Sequence, residues 1–506
     1  MQIHELNPFS GALNDSTYFA IDNGIDTTKL AVADFAKKTG HVTPEMFGAV
    51  GDGVTDDTTA WQSALDVGGI ILCKAGSNYS ITSVLRIKAN TTILLNGATI
   101  TTSAVHLFFN FLDTDAFTGY NGNGNISIIG GSIVGGSISF IHGKNIYIDR
   151  VQFSNGSNDH YFEICACKNF NITNCSFVGM STTAPSRKEY INIDNCTYSN
   201  FPHLPADSAT YDLTIVDGVL IENCYFDISD GVMQDAIGKH SYADSGNVSA
   251  YKAKNITISN CRIVGATQIA VLLLGIENVL MESCRLENCT AITNCRNSVN
   301  VTIRDNIATG ITTYCEIETL TKFAFVNNFV ETSSTSSVVN IAGSNDTLEF
   351  RDNSIKSSSN PALIRFDSAN AITVTHFTVF NNALDVVGKR RVIYSISGTV
   401  SCQVSTSDYI EYWLGNDSVA TNAHFNLTDF NALLIQLGAI GSTTSITVTI
   451  RSFTERNFLV GESFPYVYVS TGGVISYGTI TITDAHTITA TGLKIRDVIA
   501  QALPRR

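Results

Sequence analysis

One pattern recurs along the chain and is clearest in NFNITNCSF (residues 169–177), GVLIENCYF (218–226), NITISNCRI (255–263) and NVLMESCRL (278–286). Apolar residues alternate with polar ones in each copy, and a Cys stands at the same place in all four. An alternation of period two is typical of a strand with one buried face. Further copies begin at Ile146, Val301, Phe323 and Leu348. Repetition of this kind indicates a solenoid.

The register of the copies indicates which residues stack. Most copies start 22 to 25 residues after the previous one, and the same inner position holds Cys175, Cys224, Cys261, Cys284, Asn306, Asn328 and Asn353. Stacked coils of this length predict an all-β chain wound as a parallel β-helix. We interpret the Cys column as reduced thiols packed in the core, where they behave as small hydrophobes. A line of thiols does not form the tetrahedron that zinc needs.

Composition agrees with this fold and excludes several functions. Charged residues make up 15% of the 506 residues and hydrophobic ones 44%, so the low charge does not indicate disorder. The net charge of −14, without a basic stripe, argues against a nucleic-acid partner. The sequence contains neither an apolar run of about 18 residues nor a secretory signal, so we expect no membrane partner and synthesis in a cytosol.

The segment GAVGDGVTDDTTAWQSALD (residues 48–66) stands before the repeat. It predicts a turn at Asp52, then a helix near 58–66 that is capped by Asp56 or Asp57 and closes the open end of the solenoid. Together with the repeat, this segment resembles the pectate-lyase-like superfamily, as found in phage tailspikes and polysaccharide depolymerases. The resemblance implies a right-handed single-stranded parallel β-helix. The Asp-pair motifs of the polygalacturonase family are absent, so no catalytic residue is carried over.

We divide the chain into three parts. Residues 1–42 resemble the head segment that joins phage tail proteins to the virion tail or baseplate; a simple cap on the solenoid is the alternative. Residues 43–385 form the parallel β-helix. After them the repeat stops, and short alternating strands in 386–506 predict a C-terminal β-sandwich. In tailspikes such domains trimerise the shaft or bind sugar, so the resemblance implies a homotrimer on the virion, assembled in the host cytoplasm.

Two longer intervals, of 49 and 37 residues, interrupt the repeat. The extra residues, at about 178–190, 197–216 and 241–252, predict loops that wall one region of the shaft, and loops on rigid scaffolds carry function. Polar residues cluster there on strands. We therefore predict as catalytic residues Glu163, Asp194, Asp235 and His240. Strand and rung spacings predict that the three carboxylates lie within about 5 to 10 Å of one another.

Paired carboxylates at such distances suit glycoside hydrolysis, in which one protonates the leaving oxygen and the other attacks the sugar or activates water. The predicted substrate-binding residues are His160, Arg187, Lys188, Glu189, Asn192 and Asp212. We expect no cofactor and no metal. The predicted partner is a host surface polysaccharide: capsule, exopolysaccharide or wall glycan. A lyase acting on a uronate polymer and a non-catalytic receptor-binding spike remain alternatives; a host-encoded wall enzyme is disfavoured by the missing signal.

Overall fold

The computed structural model describes residues 40–156, 160–180, 189–195, 212–239, 252–359, 361–366, 372–379 and 382–386 in full, and the backbone of several further strands. The chain divides into two compact units, residues 1–262 and 263–506. Strands dominate both units. In the described part, no helix is long and apolar enough to cross a membrane.

The first unit contains three parallel sheets, and each coil of the chain adds one strand to each sheet. The first sheet contains Gly69–Leu72, Thr91–Leu94, Ile126–Ile129, Lys144–Asp149, Lys168–Thr173, Asp217–Glu222 and Ala253–Ser259. The second contains Asp52–Asp56, Asn78–Ile81, Thr99–Thr102, Ser132–Val134, Gln152–Gly156, Ser176–Met180 and Tyr225–Asp227. The third contains Leu85–Arg86, His106–Phe109, Ser137–Ile141, Phe162–Cys165, Glu189–Asp194 and Asp235–Lys239. The predicted parallel β-helix architecture is confirmed.

Like residues stack on like residues inside the first unit. Phe153, Phe177 and Phe226 are cross-strand partners on successive coils. Their rings stack with centroids 4.9 Å apart and nearly parallel planes. Such offset aromatic pairs add about 1 kcal/mol each to the free energy of burial. They fix the register, because a slip of one residue would turn every ring away from the core.

The Asn-Cys pairs of the repeat mark the corner between the first two sheets. Asn174 and Asn223 have φ of 55° and 53°, in the left-handed region that Asn tolerates better than most residues. The turn they make directs the next side chain inward, and Cys175 and Cys224 are buried. All ten cysteines in the described part are free and buried.

The predicted capping helix is an α-helix over Thr58–Val67, after a 3-10 turn at Pro44–Phe47. It buries Ala60, Trp61, Ala64 and Leu65. Asp56 Oδ1 accepts a hydrogen bond from the Thr58 N–H at 3.0 Å, while Asp57 Oδ1 accepts one from the Val50 N–H at 2.6 Å. These acidic residues therefore hold the helix start and the preceding turn.

The second unit repeats the arrangement. Its first sheet contains Ile276–Glu282, Val299–Arg304, Lys322–Val326, Ser344–Arg351 and Ile372–Phe380; its second contains Arg285–Glu287, Ile307–Ile311, Phe329–Thr332, Ser354–Ser357 and Ala383–Val386. Its third contains Ile269–Leu274, Ala291–Arg296, Cys315–Glu318, Ser337–Ala342, Ala362–Asp367 and Arg391–Ser397.

A ladder of buried asparagines takes over from the Cys column in the second unit. Asn306 Nδ2 donates to Asn328 Oδ1 at 3.0 Å, Asn328 to Asn353 at 3.1 Å, and Asn353 to Asn382 at 2.9 Å. Each Oδ1 also accepts the backbone N–H of the preceding asparagine in the ladder. The amides thus satisfy one another along the core.

Parallel pairing continues beyond residue 385. Val400–Gln403 pairs in parallel with Ile372–Phe380, and Ala423–Asn426 with Val400–Gln403. The remaining strands are Ile446–Thr449, Ser463–Ser470, Ile475–Asp484, Thr487–Thr491 and Val498–Ala500, with several antiparallel pairings, and at the N-terminus Tyr18–Asp22 pairs antiparallel with Thr27–Ala31. Much of 1–42 and 386–506 lies outside the described residues, so the head segment and the β-sandwich remain predictions.

Candidate functional site

Four neighbouring strands of the third sheet in the first unit carry the candidate site. They are β1 (Ser137–Ile141), β2 (Phe162–Cys165), β3 (Glu189–Asp194) and β4 (Asp235–Lys239). Phe162 and Ile164 point into the core, so Glu163 between them lies on the opposite face. Its cross-strand partners are Ser139 on β1 and Asn192 on β3. Asn192 in turn lies opposite Gly238, which has no side chain.

Asn192 joins two carboxylates. Its Nδ2 donates to Glu163 Oε1 at 3.0 Å, to Glu163 Oε2 at 3.1 Å and to Asp194 Oδ2 at 3.4 Å. Since one nitrogen contacts both groups, oxygens of Glu163 and Asp194 lie within about 6.5 Å of each other, near the separations found in glycosidases. Asn192 Oδ1 is buried and accepts no hydrogen bond in the described structure. One hydrogen-bond acceptor of the site is therefore unused.

The environment of Glu163 keeps a proton on it near neutral pH. Burial is the main cause, and the neighbouring Asp194 carboxylate adds to it; together they raise the pKa of Glu163 from 4.5 to about 7, against the opposing effects of His160 and Asn192. The residue is 8% exposed. A carboxylic acid poised near pH 7 is what general acid catalysis requires.

His160 lies between Glu163 and Glu189. Its Nδ1 is 3.0 Å from the Glu189 backbone oxygen, which can only accept a hydrogen bond, so Nδ1 carries the proton. Its Nε2 lies 3.4 Å from Glu163 Oε2. In the neutral ring Nε2 is an acceptor, and protonated Glu163 can donate to it. The two groups can therefore exchange a proton.

Lys239, which is not among the predicted site residues, is a cation of this site within the described ranges. It is buried, and its Nζ lies 3.4 Å from Asp194 Oδ1. A buried lysine needs a partner of opposite charge, and Asp194 supplies one. The sequence did contain a sign of this residue. Lys239 stands two positions after the core residue Ile237 on one strand, so alternation places its charged side chain on the core side, which is unusual.

Of the predicted site residues, the structure places five near one another: Glu163, Asp194, His160, Glu189 and Asn192. Asp235 lies opposite Glu189, three residues before the Asn192–Gly238 pair, so the Cα atoms of Asp235 and Glu163 are about 14 Å apart. Asp235 thus lies at the start of its strand and not directly across from Glu163 and Asn192, and its part in a three-carboxylate cluster stays a prediction.

The side chain of Asp212 contacts other residues of the same chain. It accepts hydrogen bonds from the Gly119 and Thr214 N–H groups, at 2.8 and 2.9 Å, and lies 3.7 Å from His142 Nε2. Although burial opposes it, these hydrogen bonds lower the pKa of Asp212. It therefore anchors the chain around residue 119. The remaining predicted residues, Arg187, Lys188 and His240, lie outside the described residues, as do most of the predicted loops.

Within the described ranges, no group of three His, Cys, Asp or Glu side chains is arranged to hold a metal ion. The acidic groups of the site are matched by Lys239, His160 and the Asn192 amide instead. The site thus places a proton donor, Glu163, and a carboxylate paired with a cation, Asp194, on neighbouring strands.

Comparison with known proteins gives one relative by sequence. The chain is 26% identical over 284 residues to plasmin and fibronectin-binding protein A of Streptococcus pneumoniae, across 48% of this chain and 38% of that protein. The match thus spans well under half of the relative's length. No family model matches the chain.

Solved structures support the fold. The crystal structure of PfbA, a surface adhesin of Streptococcus pneumoniae, aligns with a TM-score of 0.54 and 21% identity over 70% of this chain and 93% of that chain. A tailspike protein of E. coli bacteriophage HK620 aligns over 94% of both chains, with 12% identity and a TM-score of 0.48. The first likeness shows a shared fold, and the second is too weak to assign one.

Proposed function

We propose that this protein binds and cleaves a surface polysaccharide by glycoside hydrolysis, with Glu163 as the general acid and Asp194 as its partner. The observation that carries the proposal is the pairing of a buried carboxyl, whose pKa is raised to about 7, with a second carboxylate held by the same amide. The environment of Glu163 favours its protonated form, which is the form that a general acid needs.

In the proposed reaction Glu163 transfers its proton to the glycosidic oxygen as the bond to the anomeric carbon breaks. Asp194 either attacks that carbon or removes a proton from the attacking water, and the water oxygen becomes the new anomeric hydroxyl. Lys239 pairs with the charge of Asp194, and His160 Nε2 lies beside Glu163 as a hydrogen-bond acceptor. If Asp194 attacks the sugar, the water that later releases the sugar gives its proton to Glu163, which restores the acid; if Asp194 acts as the base, it takes the proton of the water, and the two carboxyls return to their starting states by exchange with solvent. Asn192 holds both carboxylates and offers Oδ1 to a sugar hydroxyl.

The other predicted residues keep secondary roles in the proposal. Glu189 orients His160 through its backbone oxygen. Asp235 and His240 remain proposed contributors to catalysis, and Arg187 and Lys188 remain proposed substrate contacts.

The test is digestion of purified bacterial capsules, exopolysaccharides and wall glycans by the full chain. We expect new reducing ends from the wild type, and a loss of about 10² to 10⁴-fold in rate for Glu163→Gln and for Asp194→Asn. Glu331→Gln, an exposed carboxylate of the second unit, is the matched control and should keep full activity. Full activity in both site variants would refute the assignment.

Two alternatives have support of their own. A buried cation beside a carboxylate, Lys239 with Asp194, also suits a lyase, which needs a base and a group that neutralises a uronate; absorbance of unsaturated uronate ends would identify it. The likeness to a protein named for binding plasmin and fibronectin favours a non-catalytic surface-binding role. Binding without any cleavage would select that role.

The assembly belongs to the proposal as well. We propose a phage-type spike that trimerises and attaches to the virion through residues 1–42, with 386–506 trimerising the shaft or binding sugar. Light scattering of the purified chain should give three times the mass of 54.5 kDa.

A further inference from the structure

A second polar cluster lies in the second unit, on the face of the third sheet that points away from the core. Asn294, Glu316, Asn340 and Arg365 are cross-strand partners on four successive strands. The residues that alternate with them, among them Cys295, Ile317, Ile341 and Ile364, are fully buried in the core.

Two amides in this column lack partners. Asn340 is only 4% exposed although it points away from the core, and its Oδ1 is buried without a hydrogen bond. Asn294 Oδ1 is buried and unbonded in the same way within the described structure. A buried acceptor without a donor costs about 1 to 3 kcal/mol, so native proteins seldom leave one unsatisfied without reason.

The formal charges of the cluster sum to zero, since Glu316 and Glu318 are matched in number by Arg296 and Arg365. Arg296 NH2 donates to Glu316 Oε2 at 2.7 Å, and Arg296 Nε lies 3.5 Å from Glu318 Oε2. Arg365 donates to the Ser336 hydroxyl. A polyanion would have to displace these contacts, whereas a neutral ligand rich in hydroxyl groups would only add donors to the free amide oxygens.

We propose that this cluster is a second, non-catalytic binding site for a neutral, hydroxyl-rich segment of a glycan. The two amide oxygens are two rungs apart, about 10 Å, so one ligand can engage both while hydroxyls reach Glu316 between them. A subunit interface is disfavoured, because the cores of such interfaces are depleted of charged residues. The class of ligand rests on the proposed function; the position of the site does not.

The test uses the full chain with Glu163→Gln, so that bound glycan is not cleaved. A microarray of purified bacterial polysaccharides and their oligosaccharides identifies a ligand, which is then titrated calorimetrically. We expect two sites per chain. Asn340→Ala should remove one or weaken it at least tenfold, and Asn192→Ala should affect the other. Asn300→Ala, at an exposed position of the strand Val299–Arg304, should change neither.

The outcomes separate this inference from the proposed function. If Asn340→Ala keeps both sites at unchanged affinity, the second site is refuted even if the wild type cleaves glycan. If cleavage is absent but Asn340→Ala loses binding, the second site stands and the hydrolase proposal fails. A change of oligomeric mass with unchanged glycan binding would assign this face to subunit contact and overturn the inference, as would an array on which no glycan is retained.

Discussion

Replacing Glu163 with Gln should stabilise the protein at alkaline pH while it slows cleavage by about 10² to 10⁴-fold. The folded protein holds the pKa of this carboxyl at about 7, above its ordinary 4.5. The folded state therefore binds the proton more tightly than the unfolded state. The contribution of this group to the free energy of unfolding is fully present below about pH 4.5 and is lost as the pH rises through 7.

The magnitude follows from the shift. At 1.36 kcal/mol for each pH unit, raising the pKa from 4.5 to about 7 lowers the free energy of unfolding by about 3 kcal/mol between pH 4.5 and 8. Gln is isosteric and uncharged, so it escapes this loss. Its amide oxygen can keep the Asn192 hydrogen bond, while its nitrogen faces His160.

The assay is calorimetric melting at pH 5 and pH 8. For a chain of this length unfolding as one body, about 3 kcal/mol corresponds to about 3 °C. Glu163→Gln should melt about 3 °C above the wild type at pH 8 and close to it at pH 5. The control Glu331→Gln should follow the wild type at both. If Glu163→Gln melts at or below the wild type at pH 8, Glu163 is not a buried acid and the catalytic reasoning fails with it.

Three further predictions concern the same contacts and the core. In a pH–rate profile, the cleavage rate should fall tenfold for each pH unit above about 7, because Glu163 loses the proton that it donates. Lys239→Met should lower the free energy of unfolding by about 3 kcal/mol, because it leaves the Asp194 carboxylate buried without a cation. Adding Asp194→Asn should restore most of this loss in urea titrations. If the losses of the two substitutions simply add, Lys239 and Asp194 are not energetically coupled. Asn328→Ala should cost about 2 kcal/mol in the same titrations by leaving the Asn306 N–H unsatisfied, with cleavage unchanged; a loss below 0.5 kcal/mol would count against the ladder.

The repeat made most of the fold predictable, because stacked coils place equivalent residues above one another. The columns of Cys175 and Cys224 and of Asn306 and Asn328 follow directly from their spacing. The carboxylate pair was predictable for the same reason: Glu163 alternates with core residues on its strand.

The positions of the other site residues depend on the pairing register of their strands, which the sequence does not reveal across a long insertion. After a long interval the sequence does not fix where the next strand begins pairing, so Asp235 was placed beside Glu163 although it lies opposite Glu189. Lys239 was missed because alternation counts it toward the core, where a charge is unexpected until its partner Asp194 is known.

The asparagine ladder of the second unit has a direction. In Asn306, Asn328 and Asn353 the Nδ2 donates both to the Oδ1 of the next asparagine in the ladder and to a backbone carbonyl of an earlier coil, so these amides share one orientation. A coil can join or leave this array only if it presents one amide in the same orientation. Removing the 22 residues 307–328 would bring Asn306 next to Asn353 and close the ladder again. Shaft length is thus a modular property, which duplication or deletion of whole coils can change without a new core.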